Sequence, residues 1–400
     1  MTRLPSSLSE ERIWQVWKDS RDSKRNAGAA GVDRVSATMF QQQLRDNILS
    51  IQKDIREGTF RFRSLRAAPI LKATGKYRIL AIPSVRDRLV QRCLIGHLEG
   101  DSRFNGTSAI SYGFSRGRSL QAAQVDACKI RGHRPWVAQA DIIKFFDRVP
   151  RMEIKKLLQK KVRSTVVRNL LLQAVDCELE DWGGRATRIA RENGIQRGIG
   201  LRQGMPASPM LSNLLLKGFD DELTKRGITA IRYADDIAIF GETKTECEEA
   251  LIIVKDALKK LKLEIPELGP KSKTKLCGPS ELVTFLGVDI KRIGTEYKLC
   301  APFDKITEIS EEMSHIVDMD RCITDKVNVG RIVSYLESFV IGHSASMAVL
   351  GETEQANFTS RLKAEAQKHI ESLLIKIMGK KAVEQLDDDR RALLGIQQFR

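Results

Sequence analysis
The 400-residue chain is 42% apolar, enough for one large domain or two to three subdomains around a hydrophobic core and too apolar for disorder. Lys and Arg outnumber Asp and Glu by 67 to 51, a formal net charge of +16. That surplus points to a polyanionic partner, nucleic acid before membrane, since no basic amphipathic anchor with aromatic residues stands out.

The first residues, Met1 to Ser6, have no apolar core of a leader, and no stretch reaches transmembrane length, so a cytoplasmic protein is expected. Seven cysteines, without a C-x-x-C spacing, argue for a reducing cytosol and against disulfides or a zinc cluster. The five histidines form no ligand-like pair. Residues 6–26 read as a polar helix capped by Ser9, with Ile13, Val16 and Trp17 on one face. Gly28 to Gly31 break it, and a second helical stretch over 38–57 ends at Gly58. In residues 69–88 two apolar runs flank a Gly-containing turn, which predicts a β-hairpin carrying Lys72 and Arg78. The glycines of Ser111 to Ser119 permit a tight loop whose arginines, Arg118 among them, suit a phosphate backbone or simply solvent.

An apolar strand, Val137 to Ala140, then runs into Asp141, followed by Phe145, Phe146 and Asp147 before Pro150. Residues 151–182 read as helical through Leu157, Leu158, Val162, Val166, Leu170 and Leu171. Gly198 to Met205 form a glycine-rich turn containing Gln203 and Gly204, and Ser208-Pro209 starts a helix running to Phe219. Residues 231–240 are two short apolar, β-favouring runs around Asp235 and Asp236, preceded by Tyr233 and Ala234. Two like charges at a turn between buried strands are unfavourable unless a cation sits on them, and hard divalent cations choose carboxylate oxygens. A solvated Asp-Asp turn is the plain alternative, but Asp141 offers a third carboxylate in a matching context. Thr243 to Leu263 is amphipathic through Leu251, Val254, Leu258 and Leu261. Lys271, Lys273 and Lys275 follow, then a short strand with a Gly turn, Thr284 to Ile290, containing Gly287. From Ala301 the chain is helical, with Ile332, Leu336, Phe339 and Val340 in one stripe. Phe358, Leu362, Ala366, Ile370, Leu373 and Ile377 form another, and Arg361, Lys363, Lys368 and Lys376 lie off the stripe. Asp387 to Asp389 read as a helix cap and first turn.

Taken together, these blocks resemble a reverse transcriptase. Asp141, with Phe146 five residues on, is similar to the A motif of that family, and Tyr233-Ala234-Asp235-Asp236 to its Tyr-X-Asp-Asp C motif. Residues 198–213 resemble the B motif and Lys271 to Lys275 the D motif. The hairpin at 69–88 is similar to the fingers of group II intron-like enzymes. The block at 111–119 resembles their Gly-Phe-Arg-Pro-Gly-Arg-Ser block, departing from it at Ser115 and Arg116. The resemblance covers roughly residues 28–295. It implies an α+β right-hand polymerase: an N-terminal helical extension (1–27), fingers (28–130), palm with the A motif (131–150), a helical insertion (151–200), palm with an antiparallel sheet (201–300) and a helical thumb (301–400).

By the same resemblance, the reaction is templated DNA synthesis. Two Mg²⁺ ions, about 3.5–4 Å apart, are held by Asp141 and Asp235 with the Ile142 carbonyl, and Asp236 supports them. Lys72 and Arg78 take the dNTP triphosphate, Gln203, Gly204 and Tyr233 border the dNTP, and Phe146 excludes a ribose 2′-hydroxyl. Lys273 protonates the pyrophosphate, Gly287 grips the primer, and Arg118, Arg361 and Lys368 meet nucleic acid. Partners are an RNA template, nascent cDNA and dNTPs, with no membrane. The Asn-Ala-X-X-His and Val-Thr-Gly signatures of retron enzymes do not occur, nor does an HNH pattern, and little chain follows the thumb. The resemblance is therefore closest to bacterial defence-associated (unknown group) reverse transcriptases, several of which copy a partner non-coding RNA against phage. A group II intron-type maturase is the alternative, as is an RNA-binding splicing cofactor in which polymerisation is secondary; intact Asp141, Asp235 and Asp236 favour an enzyme.

Overall fold
The computed structural model describes residues 4–20, 22, 29–71, 77–101, 104, 108–180, 184–324 and 326–393. The chain divides into two units, residues 1–119 with 138–276 and residues 120–137 with 277–400.

In the first unit the expected N-terminal helix spans Glu10–Asp19, with the Ser9 hydroxyl accepting from the Arg12 N–H and with Ile13 and Trp17 buried. The single helix expected over 38–57 is two, Ala37–Gln42 and Leu44–Glu57, because Gln43 leaves helical geometry at φ −120°. Gly58 ends the second in the left-handed region, φ 72°, where a Cβ would be strained. Strands β1 (Arg66–Leu71) and β2 (Tyr77–Ile82) form the expected antiparallel hairpin, in register from Arg66 opposite Ile82 to Leu71 opposite Tyr77. The helical expectation over 151–182 also resolves into two pieces. Arg151–Lys161 and Thr165–Val175 are separated by an extended Val162, and Ser164 caps the second.

The centre of this unit is a four-stranded sheet of β3 (Trp136–Asp141), β4 (Thr229–Tyr233), β5 (Asp236–Gly241) and β6 (Lys275–Cys277), in the order β4-β5-β3-β6. β5 is apolar and buried without alternation from Ile237 to Phe240, as expected of a strand covered on both faces. Helix Lys244–Lys260 packs on β5 and helix Ser208–Lys225 on β4. Pro209 sits at the start of the latter, where its missing N–H costs nothing.

The second unit holds helix Leu120–His133 and an antiparallel meander of β7 (Val283–Phe285), β8 (Val288–Ile293) and β9 (Glu296–Cys300). Arg131 is fully buried and donates to the carbonyls of Ile290, Glu281 and Gly278 at 2.7, 2.6 and 3.0 Å. Helices Lys305–Ile316, Val329–Ser346 and Glu352–Met378 share one core through Ile309, Met313, Leu336, Val340, Leu362 and Ile370. Two stripe assignments change. Ile377 is 51% exposed and Leu374 takes its place in the core, while Phe339 is only partly buried. Asp387 does cap the last helix, Asp388–Leu393, accepting from the Arg390 N–H at 2.8 Å. Among the described residues no helix is long and apolar enough to cross a membrane.

Candidate active site
β3 delivers Asp141 at its C-terminal end, and the β4–β5 hairpin delivers the other two carboxylates. Tyr233 and Asp236 are the last cross-strand pair, so Ala234 and Asp235 make a two-residue turn. Ala234 takes φ 57°, a strained conformation for a residue with a Cβ. Two hydrogen bonds hold it there: the Ala234 carbonyl accepts from Arg232 Nη1 at 2.9 Å, and the Asp235 carbonyl accepts from the Ile142 N–H at 3.1 Å. The second bond ties the turn to the residue directly after Asp141. Residues about ninety positions apart in the chain are thereby held main chain to main chain.

The side chains then crowd. Burial raises the Asp235 carboxyl above the ordinary range, and the neighbouring charge of Asp141 and a hydrogen bond shared with it add to the shift. Asp236 points to solvent, yet packed protein around its carboxyl, together with Asp235 and Asp141, pushes it up to about 6. Lys273, on the segment before β6, forms an ion pair with Asp141, and this hydrogen bond is the main reason its own pKa is raised. Among the described residues no three His, Cys, Asp or Glu side chains are already gathered in metal-ligand geometry. The donor set nevertheless suits a hard divalent cation: three carboxylates with mutual repulsion to relieve, and an ammonium group drawn to the first of them.

The scaffold beneath the turn is Arg232, which the sequence reading passed over. It is wholly buried in β4, and its guanidinium pairs with Asp220 at 2.6 and 2.7 Å. It also donates to Ser111 Oγ at 2.8 Å and Asn213 Oδ1 at 3.2 Å. An arginine inside an otherwise apolar strand was the available signal, since a buried guanidinium must find partners. On the other side of the turn Gly113 packs so closely that an added Cβ would lie 2.6 Å from the Ala234 nitrogen. Gly113→Ala is therefore expected to displace the turn and cut activity at least about tenfold. The overpacking cost is about 1–3 kcal/mol, read by parallel activity assays and thermal melts.

The residues expected to meet the nucleotide take the following places. Lys72 lies outside the described residues. Arg78 is exposed on β2, opposite Ile70. The Ala81 N–H of the same strand donates to the Gln203 carbonyl at 2.7 Å, and Gly204, at φ 104°, lies so near that a Cβ would come within 2.7 Å of the Ala81 carbonyl. Phe146 is half-buried beside Phe145, and its carbonyl accepts from the Leu201 N–H at 2.7 Å. The turn after Asp141, the loop Leu201 to Gly204 and the β1–β2 hairpin are thus linked by main-chain bonds. Tyr233 is half-buried, with Phe114 6.3 Å away. Arg118 stacks on Tyr112 at 4.3 Å and donates to the Ala109 carbonyl, bracing its own loop.

In the second unit, Gly287 occupies the β7–β8 turn at φ 81°, and the adjacent Leu286 carbonyl accepts from Gln124. Arg361 and Lys368 are exposed on helix Glu352–Met378, with Lys368 paired to Glu365.

Residues 70–290 match the family described as "Reverse transcriptase (RNA-dependent DNA polymerase)". Among curated proteins the chain is similar to "Protein YkfC" of Escherichia coli K12, 32% identical over 51% of this chain and 52% of that protein. It is similar to "Retron Ec83 reverse transcriptase" of Escherichia coli, 29% identical over 42% of this chain and 50% of that protein. It is also similar to "Putative COX1/OXI3 intron 2 protein" of Saccharomyces cerevisiae, 23% identical over 56% and 25%. The chain spans between a quarter and about half of the length of these relatives.

Proposed function
The chain belongs to the reverse transcriptase family and has its right-hand polymerase fold, and on that premise we propose that it copies an RNA template into DNA by nucleotidyl transfer at Asp141, Asp235 and Asp236. The observation that carries the reading is the convergence of these three carboxylates, with Lys273 beside them. Asp141 and Asp235 are the ligands for Mg²⁺, with the Ile142 carbonyl, and Asp236 tunes the site by its charge. Two such ions, when bound, lower the pKa of the primer 3′-hydroxyl and neutralise the leaving pyrophosphate. Lys72 and Arg78 hold the triphosphate as point charge and bidentate donor. Gln203 and Gly204 border the incoming base, and Tyr233 the nucleotide. Lys273 delivers a proton to the pyrophosphate, Gly287 steadies the primer, and Arg118, Arg361 and Lys368 lie along phosphates.

Phe146, five residues after Asp141, excludes the 2′-hydroxyl in this reading and so selects dNTPs. Phe146→Ala is expected to raise ribonucleotide incorporation relative to deoxynucleotide about ten- to a hundredfold, measured as a ratio of kcat/KM values. An unchanged ratio removes Phe146 from that role.

The template in this reading is a structured non-coding RNA, copied in the cytoplasm as part of anti-phage defence. Similarity to an intron protein supports a second reading, a group II intron-type maturase or splicing cofactor. Sequencing the RNA and DNA that co-purify with the protein separates the two. One abundant structured RNA with its complementary DNA favours defence, whereas intron RNA favours the maturase.

A further inference from the structure
The loop from Gln196 to Gly204 contains neither helix nor strand, and Gly198, Gly200 and Gly204 stand at φ 76°, 76° and 104°. Its path is therefore set by what it meets, and those meetings converge on Glu178, just past helix Thr165–Val175. The Glu178 carboxylate accepts from the Gly198 N–H and Arg151 Nη1, each at 2.7 Å, and from Arg202 Nε and Nη2 at 3.2 and 2.5 Å. The arginines pass the constraint on. Arg151 Nε donates to the Gly200 carbonyl at 2.7 Å and Arg202 Nη2 to the Gln196 carbonyl at 2.5 Å. Their side chains are 4% and 2% exposed, so water is a poor substitute for the carboxylate they share. Burial acts to raise the Glu178 pKa, but the Gly198 N–H and the two arginines outweigh it and hold the carboxyl below the ordinary range.

The main chain of Glu178 is fixed from the other direction. Its carbonyl accepts from the Leu65 N–H at 2.8 Å, and the Leu65 carbonyl accepts from the Glu180 N–H at 2.9 Å. Leu65 directly precedes β1. A small apolar core then joins Leu65, Ala81 of β2, Cys177 beside Glu178, and Met205 directly after Gly204. The root of the β1–β2 hairpin and the loop thus meet at this one acidic residue.

We propose that Glu178 is a positioning residue for nucleotide binding: its carboxylate holds the loop Gln196 to Gly204 in place against the β1–β2 hairpin. Gln203 and Gly204 on the loop thereby keep a fixed distance from Arg78 on the hairpin. That these residues meet the nucleotide rests on the proposed function; the hub itself rests on the hydrogen bonds. The turn carrying Asp235 is framed separately, by Arg232 and the Ile142 N–H. Loss of the hub therefore weakens nucleotide binding and spares the chemical step.

Glu178→Gln keeps an acceptor for the Gly198 N–H and removes the charge that both arginines share. Glu178→Asp keeps the charge, and so the fold, but is one methylene too short to reach all three donors. Single-turnover nucleotide incorporation on a primed RNA template should show the apparent nucleotide Kd raised about tenfold in both variants, with the maximal rate within about twofold of wild type. A merely structural role lowers the fraction of active molecules and leaves Kd unmoved; that result overturns the proposal. Gln203→Ala tests the reading beneath it. A raised Kd in Gln203→Ala with none in the Glu178 variants sinks the positioning role alone, whereas an unchanged Kd in Gln203→Ala takes the loop out of the nucleotide site and sinks both. Hydrogen exchange gives a readout without catalysis. The Ala81 amide bonds the Gln203 carbonyl, and in both Glu178 variants it should exchange about tenfold faster or more. Unchanged exchange at Ala81 overturns the proposal whether or not the protein makes DNA.

Discussion
Replacing Asp235 and Asp236 together by alanine is expected to abolish DNA synthesis, by roughly 10³-fold or more, while RNA binding survives. The loss is chemical and not architectural, because the bonds that frame the turn run through the carbonyls of Ala234 and Asp235. The same variant has a second signature in stability. Both carboxyls have folded-state pKa values above the ordinary 3.8, Asp236 at about 6, so their ionisation opposes folding. For Asp236 the unfavourable contribution is absent well below pH 4, grows between about 4 and 6, and is complete above, and Asp235 acts in the same direction. In cation-free buffer the double variant should therefore melt at or above wild type at pH 8, and its advantage should vanish towards pH 4. Magnesium chloride at pH 8 should raise the melting temperature of the wild type and leave the variant unmoved. Retained synthesis in the variant, or a wild-type melt indifferent to magnesium, would remove these carboxylates from the metal site.

Arg232→Met should destabilise the fold by about 3–5 kcal/mol, since it leaves the Asp220 carboxyl without its partner where its side chain is 1% exposed. Ser111, Asn213 and the Ala234 carbonyl lose a donor in the same step. Desolvation makes the intact pair a poor source of net stability, so the Arg232→Met/Asp220→Leu double variant should recover a substantial part of the loss. Activity should not return with stability, because the Ala234 carbonyl still lacks its donor and the turn loses its strained geometry. Chemical denaturation of the four members of the cycle, alongside single-nucleotide incorporation, checks both halves. A double variant no more stable than Arg232→Met would mean that the charge pair is not what makes the single substitution costly.

The three aspartates and the hairpins could be read from sequence because each signal is local. An apolar run ending in Asp141, a two-residue turn at Ala234-Asp235 and a glycine-flanked basic hairpin need no knowledge of distant partners. Helix starts at Ser9 and Ser164 and the stop at Gly58 are local for the same reason. What escaped depends on who meets whom. The pairing of Arg232 with Asp220, the convergence of Arg151 and Arg202 on Glu178, and the burial of Arg131 under backbone carbonyls are tertiary events. Periodicity carried the helices of 38–57 and 151–182 across breaks at Gln43 and Val162, since apolar spacing does not register one extended residue. The Ile377 assignment failed because a core ends where its neighbours end, and the cluster containing Val383 takes Leu374 instead.

The strand order also bears on how the chain is made. β3 lies between β5 and β6 in the sheet, yet it leaves the ribosome before either. Roughly ninety-five residues separate Asp141 from Asp236, which at about 5–20 residues per second is on the order of 5–20 s of translation. During that interval Val137 to Ala140 are an unpaired apolar strand, the kind of segment that chaperones hold and that aggregates nucleate on. Slowing elongation after codon 141 should therefore lower soluble yield without changing a single residue of the finished protein.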